Sequence, residues 1–395
     1  MRVYLDHNAT TPVRAEAIDA TLAALRDGWG NPSSVHAEGA AARARVERAR
    51  ESVARLLGAE PDEVVFTAGA TESNNTAIRA CAAAAGGPGS IVTSAAEHPS
   101  VDAPLDALAA AGWRIVRVPL DAEGLLDPER VAGAIAPDTV LVTLLWGNNE
   151  TGVIQPLDAI APRVRERGVP LHVDATQCVG KLPVDLRALP VDLLSLSAHK
   201  LGGPKGVGAL VVRREARLAP GGAPFAPLLL GGPQERRRRG GTENTPGISG
   251  LAAACELALR ELPERIRRWG ALRDRLWEGL REKVPRVRRN GSAERALCNT
   301  LNVEIEGASG ELLVQALDLE GIAASTGAAC ASGSVHPSHV LEAMGRSAAA
   351  ARSSLRLSVG HGVDEAAIER VLAVLPDLVA RAREAAESPA REAAE

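Results

Sequence analysis

A primary amine, a carboxylate and a phosphate cradle are the parts from which this chain could build a reactive centre. Only four of its 45 basic residues are lysines: Lys181, Lys200, Lys205 and Lys283. Any chemistry that needs an amine is therefore confined to four positions. Lys200 ends Ser195-Leu196-Ser197-Ala198-His199-Lys200, directly after an apolar run, and Gly202-Gly203-Pro204-Lys205-Gly206 follows it. Lysine is almost never buried without a partner or a chemical task; the plainer alternative is a stem that snorkels its ammonium to the surface. Asp174 has a similar setting, within His172-Val173-Asp174-Ala175-Thr176-Gln177. The third part is Thr67-Ala68-Gly69-Ala70-Thr71-Glu72-Ser73, where a glycine turn delivers the chain into a helix with Ala70 and Thr71 near its start. Free N–H groups and the helix dipole favour a phosphate there, although such residues taken alone read as an ordinary helix cap. The three parts together suit pyridoxal phosphate. The lysine would hold it as a Schiff base, the acid would keep the pyridine nitrogen protonated, and the cradle would hold the phosphate.

A nucleophile is also available. Cys330 sits in Ser325-Thr326-Gly327-Ala328-Ala329-Cys330-Ala331-Ser332-Gly333-Ser334, a run of small residues with almost nothing to anchor it, which reads as a mobile loop. A reactive thiol must be reachable. The other cysteines, Cys81, Cys178, Cys255 and Cys298, are expected to be small buried hydrophobes. The five are far apart and lack a C-x-x-C, so neither a disulfide framework nor a cysteine zinc site is expected, and a reducing cytoplasm is the simplest setting. His336 and His339 are three apart with no third ligand in view, so no metal is expected there.

These residues need a frame to position them. From about 60 to 215, short β-rich runs alternate with amphipathic stretches. Strands are predicted at 64–66, 90–93, 114–118, 139–145, 170–173, 191–196 and 207–212. Helices are predicted at 71–85, 99–111, 128–135 and 156–168. Val140-Leu141-Val142-Thr143-Leu144-Leu145 is apolar almost throughout, as in strands covered on both faces. Repeated β-α-β units imply an α/β fold with a mostly parallel sheet between helices, and ligands in such sheets sit beyond the carboxyl ends of the strands. Ahead of this lie an N-terminal arm and helices at 12–27 and 39–57. A long helix is predicted from 247 to about 282. A smaller α+β region follows, with strands at 286–289, 299–305 and 353–359 and helices at 309–320, 337–345 and 364–384. The predicted division is a large domain over 13–250, a small domain from 1–12 and 251–384, and a disordered Ala/Glu-rich tail over 385–395.

Composition narrows the function. The chain has 395 residues, 46% hydrophobic and 24% charged, which excludes an intrinsically disordered protein. The net charge of −4 gives no global basic field for nucleic acid, and Arg236-Arg237-Arg238-Arg239 reads as an interface or solvated run. No stretch reaches the length of a membrane-spanning helix, and the first residues lack a secretory signal's apolar core.

The motifs together resemble the cysteine desulfurases of the nitrogen-fixation and iron–sulfur-assembly type, within the class V aminotransferase group of fold-type I pyridoxal phosphate enzymes. The resemblance runs from Tyr4 to about Gly360. It is carried by Asp6-His7-Asn8-Ala9-Thr10-Thr11-Pro12, Gly30-Asn31-Pro32-Ser33-Ser34, Phe66 to Asn74, Glu97-His98, and Trp146-Gly147-Asn148-Asn149-Glu150-Thr151-Gly152. His172 to Gln177, Ser197 to Lys200, Gly240-Gly241-Thr242-Glu243-Asn244, Thr326 to Cys330 and Ser353 to Ser358 complete the set. It implies that Lys200 is the Schiff-base lysine and moves protons at the substrate Cα. Asp174 would partner the pyridine nitrogen, and Gln177 would donate to the phenolic oxygen. His98 would stack on the ring and stand ready as an acid or base. Ala70, Thr71, Ser197 and His199 would hold the phosphate. Thr242 would do so from the neighbouring subunit, which implies a homodimer with shared sites. Asn149 and Arg356 would hold the substrate carboxylate, Arg356 through its bidentate fork.

The implied reaction converts L-cysteine to L-alanine. Cys330 attacks the substrate sulfur and keeps it as a persulfide, for transfer to an acceptor protein such as an iron–sulfur scaffold or a sulfur carrier. Rival readings are a selenocysteine lyase, an aminotransferase that has no use for Cys330, and a non-catalytic scaffold on the same fold.

Overall fold

The computed structural model describes residues 2–216, 218, 225–327 and 337–392, with side chains as far as 385. Twelve strands occur among the described residues: β1 (Val3–Tyr4), β2 (Val64–Thr67), β3 (Ser90–Ser94), β4 (Arg114–Val118), β5 (Thr139–Leu145), β6 (Leu171–Asp174), β7 (Leu193–Ser197), β8 (Gly208–Val212), β9 (Val287–Arg289), β10 (Thr300–Ile305), β11 (Ile322–Ala323) and β12 (Ser354–Ser358). Seven of them form one sheet in the order β2-β8-β7-β6-β5-β3-β4. The pairs from β7 through β6, β5 and β3 to β4 are parallel, while β8 is antiparallel to both its neighbours. The reversal follows from the connection. A parallel return needs a crossover of a dozen or more residues, and only the short segment 198–207, with a single turn at Ala198–Lys200, joins β7 to β8.

Alternation along the strands fills a core on each side of the sheet. On β7, Leu194 and Leu196 face one core, with Val53 and Leu57 of helix Ala37–Leu57 and Ile248, Leu251 and Ala254 of helix Thr245–Lys283. Leu193 faces the other, with Ile78 of helix Ala70–Ala84 and Leu105 of helix Pro99–Ala110. Such coverage explains why β5, β6, β7 and β8 are buried almost from end to end. The chain is therefore an α/β protein with a mostly parallel central sheet, as its sequence predicts.

A second core surrounds the antiparallel sheet β12-β10-β9. It joins Leu301, Val303, Leu355 and Leu357 to Ile368, Leu372 and Leu375 of the last helix. Leu272, Leu276 and Leu280 of the long helix belong to this core too, so one 39-residue helix is seated in both. The N-terminal arm is also part of it: β1 pairs parallel with β11, and Val3 and Leu5 are buried there. Two residues are too few for a periodic pattern, so this strand pair gives no sequence signal. The last helix runs on through Glu392, where a disordered tail is predicted from 385. Alanine and glutamate are strong helix formers and extend the preceding turns. No helix among the described residues is long and apolar enough to cross a membrane.

Candidate active site

The carboxyl ends of β2, β6 and β7 open on a cavity of about 640 Å³. Ten of the twelve site residues expected from sequence line it: Ala70, Thr71, His98, Asn149, Asp174, Gln177, Ser197, His199, Lys200 and Arg356. Thr242 is exposed and does not line the cavity of its own chain. Cys330 lies outside the described residues; Ser325 and Gly327, just before it, are on the cavity wall.

Each lining group comes from a distinct local device. Gly69 precedes helix Ala70–Ala84 at φ +152°, a backbone that favours glycine, and no side chain caps that helix. The N–H groups of its first turn are left for a ligand. Gly208 on β8 crosses directly behind. A Cβ there would lie 2.5 Å from the Leu196 carbonyl oxygen and 2.7 Å from Gly69 Cα, so only glycine lets β8 approach the cradle. Ser197, 4% exposed, ends β7 beside Gly69. His199 follows on the short turn, its Nδ1 3.1 Å from Thr10 Oγ1. Burial, with Lys200 and Lys205 nearby, pushes its imidazole down to about 4 and keeps it neutral.

Lys200 Nζ donates to two backbone carbonyls of the N-terminal arm, Asn8 O at 2.6 Å and Ala9 O at 2.7 Å. Burial, then the Arg356 guanidinium, pushes the amine down to about 8, against the opposing pull of Asp174 and Asp6. A neutral amine has two protons for two carbonyls and keeps its lone pair uncommitted.

Asp174 is 2% exposed. Its Oδ1 accepts from Thr176 N at 2.9 Å and its Oδ2 from Asn74 Nδ2 at 2.7 Å. The other Asn74 amide proton goes to Ser100 Oγ at 2.8 Å, which in turn lies 2.8 Å from His98 Nδ1. Ser100 N also donates to Nδ1, at 3.1 Å. Nδ1 of His98 is therefore an acceptor, and its proton sits on Nε2. Burial lowers the affinity of this imidazole for a second proton.

Arg356, on β12, pairs through Nη2 with Asp6 Oδ1 at 2.7 Å, and its Nη1 donates to Asn149 O at 2.9 Å. Gln177 Nε2 donates to Asn8 O at 2.9 Å, and its Oε1 accepts from Lys181 Nζ at 2.6 Å.

Sequence reasoning passed over Asn8, Asn74, Ser100 and Lys181. Lys181 had a usable signal, as one of four amines and only seven residues after Asp174. His339 instead holds Glu97 O at 3.0 Å. Cys81, Cys178, Cys255 and Cys298 are buried free thiols, all raised in pKa by burial.

The donor set fits pyridoxal phosphate. The cavity brings an amine held down to about 8, a buried carboxylate held as an acceptor, an uncapped helix N-terminus and an amide N–H to one space. Its volume lies within the range of small-molecule sites.

The aminotransferase class-V family profile matches residues 3–371. A cysteine desulfurase of Cereibacter sphaeroides is 46% identical over 384 residues, covering 97% of this chain and 97% of that protein. Among solved structures, a NifS-like protein superposes with a TM-score of 0.89 at 36% identity, covering 96% of this chain and all of the other. SspA in complex with cysteine superposes at 0.79, also at 36% identity, over 91% of this chain and 99% of that one.

Proposed function

The chain belongs to the class-V aminotransferase family, and from that premise we propose that it is a pyridoxal phosphate-dependent cysteine desulfurase. One observation carries the reading: Lys200, Asp174 and the helix start at Ala70-Thr71 converge on one cavity. The relatives' names and the solved complex with cysteine support L-cysteine as the substrate.

Bound pyridoxal phosphate supplies an electron-poor ring that takes up the electron pair released at the substrate Cα. Asp174 holds the proton on the ring nitrogen, because a carboxylate fixed by Asn74 and Thr176 can only accept. Gln177 offers an N–H to the phenolic oxygen. Ala70, Thr71, Ser197 and His199 bind the phosphate. Lys200 takes the proton from the substrate Cα, a task suited to an amine near 8. His98, with its proton on Nε2, is a donor toward the cavity. Arg356 and Asn149 orient the substrate carboxylate.

Cys330 is the nucleophile. Its thiolate bonds to the substrate sulfur as the Cβ–S bond breaks. The electron pair of that bond stays with Cβ, which is protonated to give L-alanine. The sulfur remains on Cys330 as a persulfide and passes to an acceptor protein, an iron–sulfur scaffold or a sulfur carrier. Thr242, exposed on its own chain, completes the phosphate site of a partner in a homodimer. The same reading divides the chain into a large domain, 13–250, and a smaller one, 1–12 with 251–384, whose loop carries Cys330. A reducing cytoplasm suits the thiol chemistry.

Replacing Cys330 with Ala tests the assignment. Sulfide release from cysteine should fall to background while the bound cofactor keeps its absorbance, and the native protein should carry one extra sulfur on Cys330 by mass spectrometry. Sulfide release at the native rate from Cys330→Ala would sink it.

A further inference from the structure

The site contains a second buried amine to which the mechanism gives no task. Lys181 follows β6 on the segment that carries Gln177, and it is 4% exposed. Its Nζ lies 2.6 Å from Gln177 Oε1 and 3.3 Å from Asn8 Oδ1. Among the described residues no carboxylate pairs with it. The charged or titratable groups around it are Lys200 and Arg356, the Cys178 and Cys298 thiols, and the His7 and His199 imidazoles. An amine set among cations and apolar walls is costly to keep, and Met would fill the space without that cost.

The geometry points to Lys181 as the residue that positions the Gln177 amide and, with it, the floor of the cofactor site. A side-chain amide can face either way. Here both of its ends are assigned: burial holds the Lys181 amine down to about 7, and in its protonated form it can only donate, so it selects Oε1, while the Asn8 carbonyl can only accept, so it selects Nε2. Nε2 keeps one proton beyond the Asn8 bond, and Gln177 lines the cavity. Gln177 is thereby fixed as a donor.

The same amine steadies Asn8. The Asn8 side chain also accepts from Asn299 Nδ2 at 3.0 Å and donates to Thr300 Oγ1 at 2.9 Å and Asn149 O at 3.1 Å. Its backbone oxygen receives both Gln177 and Lys200. Lys181 thus acts on the reacting amine through two neighbours and touches neither substrate nor cofactor.

The inference rests on the proposed reading of Lys200, Asp174 and Gln177 as cofactor ligands. Its test uses the full-length protein in three forms: native, Lys181→Met and Lys181→Gln. Two quantities are read by absorbance: the dissociation constant of pyridoxal phosphate, and the pH midpoint of the bound cofactor's spectral change. Lys181→Met leaves the amide free to turn its oxygen toward the cavity. It should weaken the cofactor about tenfold, as expected for one lost hydrogen bond to a buried amide, and leave the midpoint near the native value, because burial and Lys200 hold Lys181 down to about 7 and it is largely neutral where an amine near 8 titrates. Lys181→Gln keeps an N–H donor without charge. It should bind within about twofold of native, as a neutral donor restores the orientation, with the midpoint likewise near the native value. Binding by Lys181→Met equal to native, or by Lys181→Gln as weak as Lys181→Met, overturns the inference. If Lys181→Met does not fold, the Lys181→Gln comparison with native decides alone, and a tenfold loss there refutes it. Borohydride trapping of the native protein separates the two levels. Label on Lys200 with an unresponsive Lys181 refutes only the positioning role, whereas no label on Lys200 removes the reading beneath it.

Discussion

Lys200 should be a partly free amine at neutral pH, because burial and then the Arg356 charge push it down. At about 8, roughly one amine in ten is unprotonated at pH 7, against about one in three thousand for an ordinary lysine near 10.5. Only the free amine attacks an aldehyde. The rate at which cofactor-free protein captures pyridoxal phosphate should therefore rise with pH and level off above a midpoint near 8. Arg356→Gln removes the main charge pushing the amine down, and it also frees Asp6, which pulls the other way. Both changes raise the midpoint, by about one pH unit if Arg356 acts as a typical close charge. Capture at pH 7 should then slow about tenfold. Stopped-flow absorbance over a series of buffers measures this directly. A native midpoint near 10, or an Arg356→Gln midpoint that stays put or falls, would show that burial and Arg356 do not control this amine.

The remaining predictions concern the frame. Glu235 is buried against Arg50, with a carboxylate oxygen 2.8 Å from each terminal nitrogen and a further bond from Phe66 N; Glu235→Ala should cost about 3–5 kcal/mol in denaturant unfolding, because it strands a buried guanidinium. Gly208→Ala drives a Cβ against Gly69 Cα and the Leu196 carbonyl, and should weaken cofactor binding at least tenfold by displacing the phosphate cradle, read by absorbance titration. His7, His172 and His199 are all held down to about 4 by burial. Between the ordinary value of 6.5 and about 4 the unfolded chain takes up protons that the folded one refuses, so these groups make stability fall as pH drops through that window. His172→Asn should flatten the fall, and an unchanged slope of melting temperature against pH would refute the assignment to His172.

The strands and helices of the main sheet were legible because their patterns are long. The β5 run and the helix before Gly58 each carry a full period of apolar residues, and the Lys200, Asp174 and Thr71 sites follow from asking what lies beyond strand ends. What stayed hidden has physical causes. The direction of β8 depends on the length of its connection, not on its own residues. The β1–β11 pair joins residues 319 positions apart through two-residue strands. Asn8, Asn74 and Ser100 are polar residues whose importance arises from which partners the fold delivers to them. Lys181 carried a warning in its type but none in its neighbours.

Asn8 also fixes when the cavity can exist. Its backbone N–H donates to Ser358 Oγ, and its side chain holds Asn299 and Thr300. A segment made among the first ten residues thus waits for strands made among the last hundred. Until that late region leaves the ribosome, Lys200 has no carbonyl floor to lie on, although β7 and the turn that carries it are already made. Capture of the cofactor is therefore an event of the finished chain, and fusions or truncations at either terminus should impair loading before they disturb the sheet.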